Sequence, residues 1–254
     1  MHAAALVLPW FVAGAWPWAV GALVANHAVL TAAGLWPRSS LLGPNITRLP
    51  AASAARGEVA LTIDDGPDPE VTPQVLDLLD RFGARASFFV IGERAAQHPA
   101  LVAQMLARGH SVQNHSQRHR HHFSLLGPAG FRRELEAAQA QLQALTDERP
   151  RFFRAPAGLR NPFLQPVLQR LGLRLTSWTR RGFDTRETDA QRVLARLVDG
   201  LAAGDILLLH DGHAARGASG TPVVLEVLPA LLERLRAAGL KPVTLPAAFA
   251  ADAA

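Results

Sequence analysis

A chain of 254 residues that is 49% apolar can bury the core of one large domain. It contains no cysteine, which excludes disulfides, thiolate metal sites and cysteine nucleophiles. The net charge of +5 rests almost wholly on arginines interleaved with acids, as in FRRELEAAQAQLQAL; with no basic block and no tyrosine, nucleic-acid binding is excluded.

The first segment is unlike the rest. Residues 3–36 carry no formally charged side chain, a run longer than the roughly 20 apolar residues that cross a bilayer. Trp10, Trp16, Trp18 and Trp36 lie in it, as expected of rings seated at a membrane interface. Residues 1–36 therefore read as a membrane anchor, in which Pro17 gives either a short hairpin or one kinked span. A signal peptide competes, but there is no basic n-region and no clear cleavage site. The first cations, Arg38, Arg48 and Arg56, would hold the following end in the cytoplasm. Residues 37–57, rich in Pro, Gly, Ser and Ala, read as a linker; their NIT triplet fits a glycosylation pattern too common to carry weight.

From residue 58 to 250 the pattern is that of a catalytic domain. Strands are predicted at 58–63, 85–90, 110–114, 151–154, 173–178, 205–209 and 241–245. Helices are predicted near 73–82, 94–108, 129–145, 161–171, 189–203 and 222–238. Thr72-Pro73 is a good helix start, and Gly83, Gly109, Gly172, Gly204 and Gly239 follow helical runs as left-handed caps. Such alternation implies a parallel sheet, closed as a barrel or open and doubly wound.

Reactive residues gather at one edge of that sheet. Asp64 and Asp65 end the first predicted strand, His115 the third, Arg154 the fourth, Trp178 the fifth and His210 the sixth. Active sites of parallel α/β folds form at the C-terminal strand ends. If the chain turns helical after the third strand, His115 and His119, four apart, face the same way and share a metal with Asp65. That donor set suits Zn²⁺, with Co²⁺, Ni²⁺ or Fe²⁺ as alternatives; His121 and His122 are rival ligands of poorer spacing. A metal lowers the pKa of water but still needs a base to take the proton. Asp64 fits that part, with Arg154 orienting it and keeping it ionised. His210 fits a general acid, and Asp184 in RRGFDT can hold it protonated.

Together TIDDGP (62–67), HSQRH (115–119), RAPAG (154–158) and LLLHD (207–211) resemble the polysaccharide deacetylases, the NodB-like carbohydrate esterases. The resemblance covers roughly residues 57–250. It implies a distorted (β/α) barrel of about seven parallel strands, here preceded by the apolar membrane segment, and metal-dependent removal of acetyl groups from glycans. It implies Asp64 as base, Asp65, His115 and His119 as metal ligands, Arg154 as the tether of the base and His210 as acid. Leu208 matches the residue lining the acetyl-methyl pocket. Ala157 matches the residue whose backbone N–H helps hold the oxyanion, and Trp178 is grouped with these as substrate-binding. Two departures stand out: Ala157 replaces a common tyrosine, and Asp184-Thr185 replaces Asp-Trp. Both remove aromatic surface that would stack on a sugar. The expected substrate is an N-acylated amino-sugar glycan or a lipid-linked amino sugar at the membrane. The competing readings are a non-catalytic glycan-binding module on the same fold and a deacylase of a non-sugar amide.

Overall fold

The computed structural model describes residues 14–250. It opens with helix α1 (Trp16–Leu35), long and apolar enough to cross a membrane. Pro17 sits in its first turn, where a missing N–H leaves no intrahelical bond unmade, so the helix runs unbroken. Any first arm of a hairpin, and Trp10, lie outside the described residues. Trp16, Trp18 and Trp36 are exposed, and of α1 itself only Ala19, Ala33 and Gly34 are buried.

The segment expected to be a linker is folded onto the domain. Ile46 bridges to Thr176 and Arg48 to Asp205, and helix α2 (Ala51–Ala55) leads into the sheet. The end of α1 is tied down as well. The Arg160 backbone N–H donates to the Gly34 carbonyl at 3.2 Å. The Ser177 hydroxyl donates to the Pro37 carbonyl at 2.6 Å, and Asn45 Nδ2 donates to the same oxygen at 2.9 Å.

Strand β1 (Glu58–Asp64) is the centre of a wholly parallel sheet. After it come α3 (Thr72–Arg81), β2 (Ser87–Val90), α4 (Gly92–Gln97), α5 (Pro99–Ala107) and β3 (Ser111–Asn114). Then follow α6 (Pro128–Thr146), β4 (Phe152–Phe153), α7 (Leu164–Leu171), β5 (Arg174–Leu175) and β6 (Arg180–Arg181). The chain ends with α8 (Ala190–Val198), β7 (Ile206–His210), α9 (Val223–Ala237), β8 (Lys241–Val243) and α10 (Leu245–Ala250). The strand order is β5-β4-β3-β2-β1-β7-β6, with β8 pairing the start of β1. β5 and β6 do not pair, so the barrel is distorted and open between them.

Strand residues alternate between two environments, as a period of two requires. Val59, Leu61 and Ile63 of β1 join Leu207 and Leu209 of β7 in the outer core beneath α3, α8 and α9. The inner column of β1 reads Ala60, Thr62, Asp64, and that of β7 reads Ile206, Leu208, His210. The inner face is thus apolar at the bottom and ionisable at the top. The floor is closed by Phe89, Phe152 and Leu245.

Several boundaries differ from the sequence reading. The helix expected over 94–108 is two helices, because Pro99 restarts the chain after His98. The fifth strand stops at Leu175, so Trp178 lies beyond it in the loop to β6.

Gly158 lies where the chain leaving α1 meets Trp178. Its φ is +75°, and an added Cβ would sit 2.7 Å from both the Pro37 Cβ and the Trp178 Cη2. Gly158→Ala is expected to cost about 1–3 kcal/mol. Thermal unfolding should show it as a midpoint lowered by about 2–4 °C per kcal/mol.

Candidate active site

The site grows out of the last residues of β1. Asp64 keeps the inward direction of its column, and its Oδ1 accepts from Arg154 Nη1 at 2.6 Å. Arg154 directly follows β4 and is almost wholly buried. It also donates to Thr62 Oγ1 (2.8 Å), the Thr176 carbonyl (3.2 Å) and the Ser177 carbonyl (2.8 Å). Its guanidinium lies 4.1 Å from the Phe89 ring centroid. Burial pulls its pKa below the ordinary value against the pull of Asp64, yet arginine so held stays charged.

At Asp65 the backbone leaves the strand with φ of +75°, a conformation that aspartate tolerates better than most residues. This change of direction separates two neighbouring carboxylates. Gly66 is needed next, because the Asp211 carboxylate occupies the space where a Cβ would go. Asp211 is buried and accepts from Thr72 Oγ1 at 2.5 Å; burial pushes its pKa up to about 7.

Asp65 Oδ1 lies 3.1 Å from His115 Nε2 and 3.2 Å from His119 Nε2. Neither approach has hydrogen-bond geometry, and Oδ1 is buried with no donor. The three ligand atoms all fall within 4.8 Å of one another. His115 Nδ1 bonds the Arg154 carbonyl at 2.8 Å; a carbonyl only accepts, so Nδ1 carries a proton and Nε2 is the nitrogen left facing the cluster. Two imidazole nitrogens and a carboxylate oxygen facing one point without a donor fit a divalent cation. Burial disfavours a charged His115, but Asp64 and Asp65 outweigh it and raise its pKa. Burial and the charge of His115 lower His119 to about 4, so it offers a neutral nitrogen. Burial also opposes ionisation of Asp65, but His115 and His213 hold it well below the usual carboxylate range.

The segment between the two histidines is not helical. Ser116 and His119 both have positive φ, and the segment is a turn. Asn114 Oδ1 accepts from the Ser116 N–H (2.8 Å), and Ser116 Oγ accepts from the His119 N–H (3.0 Å). The imidazoles converge through these turn bonds, with ring centroids 4.9 Å apart.

Across the cleft, Asp184 grips His210 twice. Its Oδ1 meets His210 Nδ1 at 2.8 Å and its Oδ2 accepts the His210 N–H at 2.7 Å. Burial favours the neutral ring, but Asp184 outweighs it and raises the pKa of His210 to about 9. Leu208, Trp178 and Ala157 all line the same cleft. Ala157 is exposed and has φ of +54°. Of the rival ligands, His121 lines the cleft outside the three-ligand cluster, and both it and His122 are exposed.

One residue escaped the sequence reading. His213 Nδ1 lies 3.2 Å from Asp65 Oδ2, and its Nε2 lies 2.9 Å from Arg94 Nη2. Arginine only donates, so Nε2 accepts and Nδ1–H donates to Asp65. The one signal was its place three residues after His210, in LLLHDGH.

The family model described as Polysaccharide deacetylase matches residues 51–176. The peptidoglycan-N-acetylglucosamine deacetylase of Bacillus cereus is 34% identical over 175 residues, 68% of this chain and 81% of that one. The chain belongs to the polysaccharide deacetylase family. Among solved structures, it is similar to a peptidoglycan N-acetylglucosamine deacetylase bound to a hydroxamate-type benzamide. That likeness has a TM-score of 0.71 and 26% identity, covering 81% of this chain and 92% of that one. A family 4 pseudoenzyme from Bacillus anthracis matches at TM-score 0.71 and 21% identity, over 81% of this chain and 68% of that one. The second likeness is one of fold alone.

The His210–Asp184 pair has a pH signature. A histidine raised from 6.5 to about 9 contributes stability that is fully present below 6.5 and is lost as pH rises through about 9. Unfolding free energy measured by urea titration should fall across that window. Asp184→Asn should flatten the fall.

Proposed function

We propose that this family member is a metal-dependent hydrolase that removes an N-acetyl group from an N-acetylglucosamine-containing glycan or lipid-linked sugar. The carrying observation is that three sets of groups meet in one cleft: the donors of Asp65, His115 and His119, the Asp64–Arg154 pair, and the His210–Asp184 pair. A divalent cation held by the three ligands would lower the pKa of water and polarise the acyl carbonyl. The residues of the chain divide the remaining work. Asp64, its Oδ1 occupied by Arg154, is left with Oδ2 to take a proton from the attacking water. The water oxygen bonds to the acyl carbon, and the backbone N–H of Ala157 serves the developing oxyanion. As the C–N bond breaks, His210 delivers its proton from Nε2 to the departing amine, since Nδ1 is engaged by Asp184. The products are a carboxylate and a free amino sugar. Leu208 receives the acyl methyl, and Trp178 supplies the aromatic wall that Ala157 and Thr185 do not.

The proposal extends to the membrane. Helix α1 would anchor the chain, residues 37–57 would join it to the catalytic domain of 58–250, and the bonds from Pro37 to Ser177 and Asn45 would hold the cleft close to the bilayer. The donor set supports zinc, with cobalt, nickel or iron as substitutes.

Asp64→Asn tests the division of labour. Acetate release from N-acetylglucosamine oligomers should fall by about 10²–10⁴-fold, while metal content measured by atomic emission stays unchanged. A metal-loaded variant with full activity would remove Asp64 from the mechanism.

A further inference from the structure

Arg181 is not used by the chemistry above, yet it lines the same cleft as Asp64 and His210. Its place follows from strand alternation. On β6, Arg180 turns to Asp205 at 2.9 Å, and Arg181, opposite Leu208 of β7, turns to the other face. There its guanidinium lies 5.2 Å from the Trp178 ring centroid and 5.0 Å from that of Phe183. Its Nε is shielded from solvent with no hydrogen-bond acceptor, an arrangement that costs free energy unless something supplies one. Arg186 lines the cleft beside it, near enough for its charge to act against that of Arg181. Among the described residues neither guanidinium reaches a carboxylate within ion-pair distance. Asp64 and Asp184 are already taken by Arg154 and His210.

We propose that Arg181, seconded by Arg186, is a subsite for an oxyanion carried by the substrate: a phosphate ester or carboxylate on the acyl-bearing sugar or its neighbour. The proposal rests on the deacetylase reading above and specifies its substrate class. A guanidinium held between two aromatic faces keeps its planar fork in one orientation, which suits two-point recognition of an oxyanion. The subsite stands beside Ala157 and Thr185, which offer no aromatic surface, so charge would add to Trp178 as a source of selectivity. Trp178, which Arg181 faces, also packs beside Gly158 next to Pro37, just past the end of α1. An anionic sugar at the membrane surface would meet this rim first.

The test uses the full chain loaded with zinc, unsubstituted and as Arg181→Gln and Arg181→Lys. Three substrates are compared: a neutral N-acetylglucosamine oligomer, N-acetylglucosamine 1-phosphate, and an N-acetylglucosamine disaccharide whose neighbour bears a lactyl carboxylate. The kcat/KM preference for an anionic over the neutral substrate should drop about 10- to 100-fold in Arg181→Gln, the loss expected for one charged hydrogen-bond pair. The loss should lie in KM, shrink with salt, and be partly recovered in Arg181→Lys. The substrate that loses most identifies the anion as phosphate or carboxylate. An equal loss on all three substrates, or no loss on either anion, overturns the subsite. If the unsubstituted chain releases acetate from none of them, the deacetylase reading fails separately. Calorimetric binding of the same two anionic sugars then decides the subsite, since Arg181→Gln must abolish the binding, and absent or equal binding overturns it.

Discussion

The buried guanidinium of Arg154 is the constraint on which the rest of the site depends. Taking a charge out of water costs several kcal/mol unless nearly every polar hydrogen is matched. Here the matches come from β1 (Thr62 and Asp64) and from the loop after β5 (Thr176 and Ser177), with Phe89 of β2 beneath the plane. The Arg154 carbonyl meanwhile fixes the tautomer of His115 beyond β3. One residue thereby sets the direction of the candidate base and of one candidate ligand. Removing either member of such a buried pair leaves an uncompensated charge, typically worth about 3–5 kcal/mol. The arrangement is better explained by the chemistry it positions than by the stability it adds.

A second consequence concerns helix α1. A flexible tether would leave the cleft free to face any direction. Instead the Gly34 and Pro37 carbonyls at the end of α1 accept from Arg160 and Ser177, with Asn45 also donating to Pro37, and Ser177 is one residue from Trp178. The apolar helix and the Trp178 wall of the cleft therefore form one structural unit. The site's orientation to α1 is part of the fold.

The physical reasons for what was legible in the sequence differ from residue to residue. β1, β2 and β7 announce themselves because each is an apolar run buried on both faces, and their ends carry Asp64, Asp65 and His210. β6 was invisible: two arginines contain no apolar signal, and only their pairing with Leu207 and Leu208 makes them a strand. The spacing of four between His115 and His119 would suit one helical face only if the chain turned helical there. Asn114 and Ser116 instead cap a turn with positive φ, a local bonding choice that side-chain periodicity does not encode. His213 reaches Asp65 only because the chain turns back after His210, also at positive φ. The linker over 37–57 looked loose by composition, but its isolated bridges to Thr176 and Asp205 depend on partners more than a hundred residues away.

The central claim is that Asp65, His115 and His119 hold the metal on which acyl release depends. The most direct measurement strips the full-length protein with chelator, then titrates Zn²⁺ back while following bound metal and acetate release from an N-acetylglucosamine oligomer together. The account predicts no release from the stripped protein and activity rising in proportion to the first equivalent bound, with His119→Ala binding far more weakly. Full acetate release from protein shown to be free of metal would contradict it.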